Sequence, residues 1–197
     1  MSESEIPPIH RYITDPLFQK AVSLIDSGDT AGLTAFLCEH PNVLSDTASF
    51  SETFFVSGTQ PGQYFERPKL LWFVAENPTR NNTLPENITR VIQAIVDAQY
   101  IHAADTIQYD LDYTLSLVTS GNVPRETGMR GDLVGALVRN GADPNCADAA
   151  LAHGERDAVQ LLLDHGARIS LTIAAGMGLM EHLHRLMPES NTKAMQQ

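Results

Sequence analysis

Two cysteines stand in 197 residues, Cys38 and Cys146, and they fall far apart, which argues against a disulfide framework and makes a reducing cytoplasm the expected compartment. Long apolar runs are missing as well. The longest, Leu70 to Ala75, has six residues, far short of the roughly 20 that cross a bilayer. Basic charge is scarce: 13 Lys and Arg face 24 Asp and Glu, a net charge of −11. Such a surface repels nucleic-acid phosphates and anionic membranes, so neither is an expected partner, whereas a cationic partner fits. The opening Met1-Ser2-Glu3-Ser4-Glu5 carries neither a basic start nor an apolar core, so no secretory signal is expected there. Without secretion, the glycosylation patterns at Asn81-Asn82-Thr83 and Asn87-Ile88-Thr89 carry no weight.

Reactive constellations are absent too. His182 and His184 are two residues apart, which on a helix sends them to different faces, and no histidine or cysteine pair has zinc-ligand spacing. Cys38 lies near His40, but no third group in the neighbouring sequence orients them as a nucleophile and base. Asp105, Asp110 and Asp112 are close in sequence without the spacing of a calcium loop. The expectation is a protein without catalytic residues, metal or cofactor.

What the chain does have is a unit written twice. Gly131-Asp132-Leu133-Val134-Gly135-Ala136-Leu137-Val138-Arg139-Asn140-Gly141-Ala142 recurs, 25 residues on, as Arg156-Asp157-Ala158-Val159-Gln160-Leu161-Leu162-Leu163-Asp164-His165-Gly166-Ala167. An acid in the first turn faces the positive end of the helix dipole, and the apolar positions form one stripe at helical spacing. Gly141 and Gly166 stand where the helix stops and the backbone turns left-handed. A period in the twenties to forties marks stacked units that bury a core only against their neighbours.

This motif resembles the second helix and following turn of an ankyrin repeat, and Gly141-Ala142-Asp143-Pro144-Asn145 reproduces that family's ending. The resemblance is strongest over 131–167. It implies an all-α, ankyrin-like solenoid that binds other proteins without a shared chemistry. Weaker copies extend it to five antiparallel helix pairs. Ala21 to Ile25 with Leu33 to Leu37 makes pair one, with Asp15 as cap and Pro16 at the first helical position. Leu70 to Ala75 with Ile88 to Ala98 makes pair two, and Leu111 to Thr119 with Asp132 to Asn140 pair three. Leu171 to Ala175 with Gly178 to Met187 makes pair five, stopped by Pro188. The expected organisation is a tail over 1–13, one repeat domain over 14–187 and a second tail over 188–197.

Insertions at about 45–68, 77–86 and 120–129 interrupt the repeat. In the first, aromatic runs at Thr53–Ser57 and Gln63–Glu66 flank Gly58 to Gly62, which predicts a β-hairpin. Phe54, Phe55, Tyr64 and Phe65 are its candidate anchors for a protein partner. They serve equally well to pack the hairpin on the first helices. Arg80 and Arg125 lie in the other two loops, which the repeat register places side by side, and are read as an anion-binding pair or as two solvated surface charges. Arg130-Gly131-Asp132 matches an adhesion tripeptide but belongs to a helix start. Three functions follow: a protein-binding scaffold, a small-molecule or catalytic pocket closed by the loops, and a homo-oligomeric subunit joined through the aromatic finger.

Overall fold

Asp15 opens the first helix as the sequence requires. Its Oδ1 accepts from the backbone N–H of Leu17 at 2.7 Å and of Phe18 at 2.9 Å, with Pro16 at the first helical position. The computed structural model describes residues 12–50, 67–77 and 79–187, and over these the chain is all-α. Its α-helices are α1 (Pro16–Ser27), α2 (Thr30–Glu39), α3 (Ile88–His102), α4 (Ile107–Ser120), α5 (Asn122–Glu126), α6 (Arg130–Arg139), α7 (Ala147–Ala152), α8 (Arg156–Asp164), α9 (Leu171–Met177) and α10 (Met180–Leu186). Two 3-10 helices, Pro41–Leu44 and Leu70–Ala75, complete the set. Among the described residues, β pairing is limited to two isolated antiparallel bridges, Ile13 with Phe50 and Thr47 with Lys69.

The doubled sequence unit gives a doubled structure. Gly141 has φ 103° and donates to the Val138 carbonyl, while Ala142 donates to that of Leu137. Gly166, φ 92°, and Ala167 do the same towards Leu163 and Leu162. This double closure satisfies the last carbonyls of the helix and turns the chain out of it. The same pair of bonds ends α1, α7 and α9.

Helix packing follows a regular order. The first helices of successive pairs touch one another in turn: α1, the 3-10 helix Leu70–Ala75, α4, α7 and α9. The second helices α2, α3, α6 and α8 form a parallel series, and every first helix also packs on the second helix of its own pair. One apolar cluster runs through these layers from Ile13 to Ile173. Phe18 of α1 and Phe73 of the next pair meet across it with ring centroids 5.7 Å apart, a favourable tilted arrangement.

Two expectations change in detail. The first helix of pair two is a 3-10 helix rather than an α-helix. Its six side chains are all buried, so no polar face exists to set an α period, and a short 3-10 run suits a wholly enclosed segment. The insertion at 120–129 is not bare loop, because Asn122–Glu126 forms the short helix α5 against α6. The predicted hairpin over 53–66 lies outside the described residues.

Candidate interaction site

Arg80 is drawn inward, not displayed. Its side chain is 1% exposed and grips Asp26 of α1, with Nη2 2.7 Å from Oδ1 and Nε within 3.0 Å of Oδ1 and 3.3 Å of Oδ2. Nη2 also donates to the Phe73 carbonyl at 2.8 Å, and the guanidinium lies 5.0 Å from the Phe73 ring centre. Glu76 completes the cluster. It ends the 3-10 helix with φ 55°, a conformation unusual for a side chain with a Cβ. It is held there because its carboxylate accepts from the backbone N–H groups of Arg80 at 2.6 Å and Asn81 at 3.2 Å. Burial raises the Glu76 carboxyl above its ordinary range against the opposing pull of Arg80. The reading of Arg80 as a surface charge is thereby corrected. The loop between the two helices of pair two folds back on α1, where the largely enclosed Asp26 meets its cation.

Arg125 points elsewhere. It is half-exposed and bonds Glu155 at the start of α8 and, at 3.1 Å, Asn122 Oδ1. Glu155 also takes Nη1 of Arg130 at 3.0 Å, and Arg130 is nearly buried, which removes its tripeptide from adhesion contacts. Arg80 is thus engaged with α1 of pair one, and Arg125 with Glu155 at the start of α8. The sequence counterparts Arg130 and Glu155, 25 residues apart, clamp one repeat to the next.

The three aspartates separate. Asp110 is fully buried, 3.0 Å from Lys69 Nζ, and its Oδ2 accepts from Gln99 at 2.9 Å and Thr106 at 3.0 Å. This network ties the end of the first insertion to α4. Asp105 is exposed. Asp112, two residues on and so on the other side of α4, accepts from the Asp143 N–H at 2.7 Å in the following turn.

That last bond begins an ordered edge which the sequence did not advertise. Asn145 Oδ1 accepts from Arg168 N at 2.8 Å, and Asp148 Oδ1 accepts from Ser170 Oγ at 3.0 Å. Side chains therefore tie α4 to the turn at 141–145, and that turn with α7 to the turn at 168–170. Two adjoining depressions of about 310 and 400 Å³ run along this edge and share Asp143 and Asn145. Tyr109 and Tyr113 stand at one end, and Arg168 and Ser170 at the other. Tyr109 is 57% exposed and stacks on Tyr113 at 5.7 Å, which in turn lies 4.3 Å from buried Trp72. The only sequence signal for this groove was the Gly-Ala-Asp-Pro-Asn turn, because tyrosines four residues apart on an ordinary helix announce nothing by themselves.

The remaining reactive groups are quietly placed. Cys146 lines the groove, and burial pushes its thiol above the usual range, so it stays protonated at neutral pH. Cys38 is exposed and free. His165 Nδ1 sits 2.8 Å from the Leu161 carbonyl, at its own helix end. Among the described residues no group of three His, Cys, Asp or Glu side chains is placed to hold a metal ion, and no helix is long and apolar enough to cross a membrane. Phe54, Phe55, Tyr64 and Phe65 lie outside the described residues. At the two ends of the first insertion, Ala48 N–H donates to the Pro68 carbonyl at 2.8 Å. No family model, curated protein or solved structure matches the chain.

Proposed function

We propose that this protein is a non-enzymatic, ankyrin-like interaction module that holds a protein segment along the strapped edge between Tyr109 and Ser170. The observation that carries the reading is the continuity of that edge. Aromatic rings, carboxylates and turn backbone from three successive helix pairs share one groove, and side-chain straps hold the turns in place. A pre-ordered surface loses little entropy on binding. The serial contacts of first helices with first helices and second with second support the solenoid reading, as does the glycine closure of successive helices.

The chemistry of the groove favours a segment with cationic side chains. Asp112, Asp143 and Asp148 line it against the single Arg168, and the Tyr109 ring at its end already takes one cation, with Lys69 Nζ 5.9 Å from the ring centre. Phe54, Phe55, Tyr64, Phe65 and Arg125 belong to this proposal as further partner contacts outside the groove. Arg80 serves it indirectly by anchoring its loop. The reading places the chain's activity in binding, with no cofactor.

The test is partner capture from the native host with parent protein and with Tyr109→Ala. Tyr109 is exposed, so the fold should survive the change. Loss of the captured protein with an unchanged circular dichroism spectrum supports the groove, and equal capture by both proteins removes it.

A further inference from the structure

The groove along the strapped edge repeats with the helix pairs that build it. The N–H groups of Asp143 and Arg168 stand 25 residues apart, at equivalent places in the doubled unit. Each is taken by a side chain from earlier in the stack, Asp112 at 2.7 Å and Asn145 at 2.8 Å. The Asn145 N–H is taken in turn by Asp143 Oδ1 at 3.0 Å. These turns therefore offer no row of free donors on which an added β-strand could pair. What they leave open are acceptors. In Asp112, Asp143 and Asp148 the internal bonds all fall on Oδ1, while Oδ2 accepts no hydrogen bond and meets no lysine or arginine among the described residues. At the aromatic end, Tyr109 is 57% exposed and stacks on Tyr113. Lys69 already holds the place of a cation beside that ring, so its open remainder is left to an uncharged apolar group.

We propose, resting on the reading of this groove as the binding surface, that its occupant is a proline-rich segment in the polyproline II conformation with lysine or arginine at every third position. Spacing selects this conformation. Packed helices lie about 8–10 Å apart, and α4, α7 and α9 stack in that order, so the edge repeats at about that interval. A polyproline II helix rises about 3.1 Å per residue with three residues per turn, and brings one face back about every 9 Å. A β-strand returns a side chain to the same face after two residues, about every 6.6 Å, and falls out of step by the second turn.

The chemistry agrees with the spacing. Polyproline II makes no backbone ladder and needs none from its host, which suits an edge whose turn donors are engaged. Proline rings fit the stacked face of Tyr109 and Tyr113, as aromatic-lined grooves take them elsewhere. The basic side chains then face the open oxygens of Asp112, Asp143 and Asp148, and the net charge of −11 draws such a segment in. Arg168, the lone cation of the groove, stands at the far end and marks where the basic run stops.

Two fluorescent peptides of identical length and proline–arginine composition test this against the full chain by anisotropy, one with arginine at every third position and one with its arginines in a single block. The periodic peptide should bind about fivefold or more tightly than the block peptide, a difference of the size several exposed ion pairs make together. That preference should vanish in the double variant Asp112→Asn, Asp148→Asn, which keeps a side-chain oxygen for each strap; an unchanged circular dichroism spectrum verifies its fold. Three results overturn the proposal: a block peptide that binds as well or better, a double variant that keeps the preference, or no binding of the periodic peptide up to about 1 mM, the weak limit of specific association. If one of these occurs while Tyr109→Ala still abolishes capture of the host protein, the groove stands and this occupant is removed. Equal capture by parent and Tyr109→Ala removes both.

Discussion

Arg80 and Asp26 form a two-pronged ion pair across 54 residues of chain, with the guanidinium 1% exposed and the carboxylate 11%. The pair fixes the second insertion to the first helix and withdraws most of both charges from water. Removing one partner of a buried pair strands the other, at a cost of about 3–5 kcal/mol. Arg80→Ala should therefore lower the urea midpoint substantially. Arg80→Lys should recover only part of the loss, because an ammonium cannot reach both carboxylate oxygens and the Phe73 carbonyl together. A variant as stable as the parent would mean that the loop is held by other contacts.

Glycine closures differ in what surrounds them. A Cβ on Gly166, φ 92°, would meet nothing within 4 Å, so Gly166→Ala should cost only the backbone term of about 1–2 kcal/mol. A Cβ on Gly28, φ 68°, would lie 2.4 Å from Asn87 Oδ1 and 2.9 Å from Pro85 Cβ. It would also disturb the Asn87 bond to the Gly28 carbonyl at 2.8 Å. Gly28→Ala should thus be the more damaging of the two in chemical denaturation. Equal losses would show that the contact between pairs one and two yields freely.

The repeated unit was legible because three separate requirements, the acid at the helix start, the apolar stripe and the terminal glycine, coincide at one offset. The cap at Asp15 and Pro16 was legible for the same reason. Arg80 was not. Its burial depends on Asp26 and Glu76 being brought to it from pairs one and two, and no local pattern distinguishes an arginine so enclosed from one in solvent. Asp110 was similarly hidden, since its partners Lys69 and Gln99 lie in other elements. The groove from Tyr109 to Ser170 exists only once the turns are stacked.

Leu162 is fully buried in the apolar triplet of α8. Leu162→Ala should cost about 2–5 kcal/mol through lost burial and the cavity left behind. Denaturant midpoints check this, and a loss well under that range would mean that neighbouring helices close the gap.

Glu76 makes a prediction about pH. Burial raises its folded carboxyl above the ordinary 4.5, so between the two values the folded state binds more protons than the unfolded state. Stability from this site is fully present below the ordinary value and falls as pH rises through the raised one. The stability difference between parent and Glu76→Gln should therefore shift against the parent from acid to neutral pH. A shift in the parent's favour would show that Arg80 outweighs burial.

The central claim is that binding occurs on the strapped edge of the stacked turns. Hydrogen–deuterium exchange of the protein alone and with its captured partner tests it most directly. The account predicts new protection over 109–116 and 143–148, the two stretches that line the aromatic end and the middle of the groove. Protection confined to α8, Arg156–Asp164, with the groove unchanged, would contradict it.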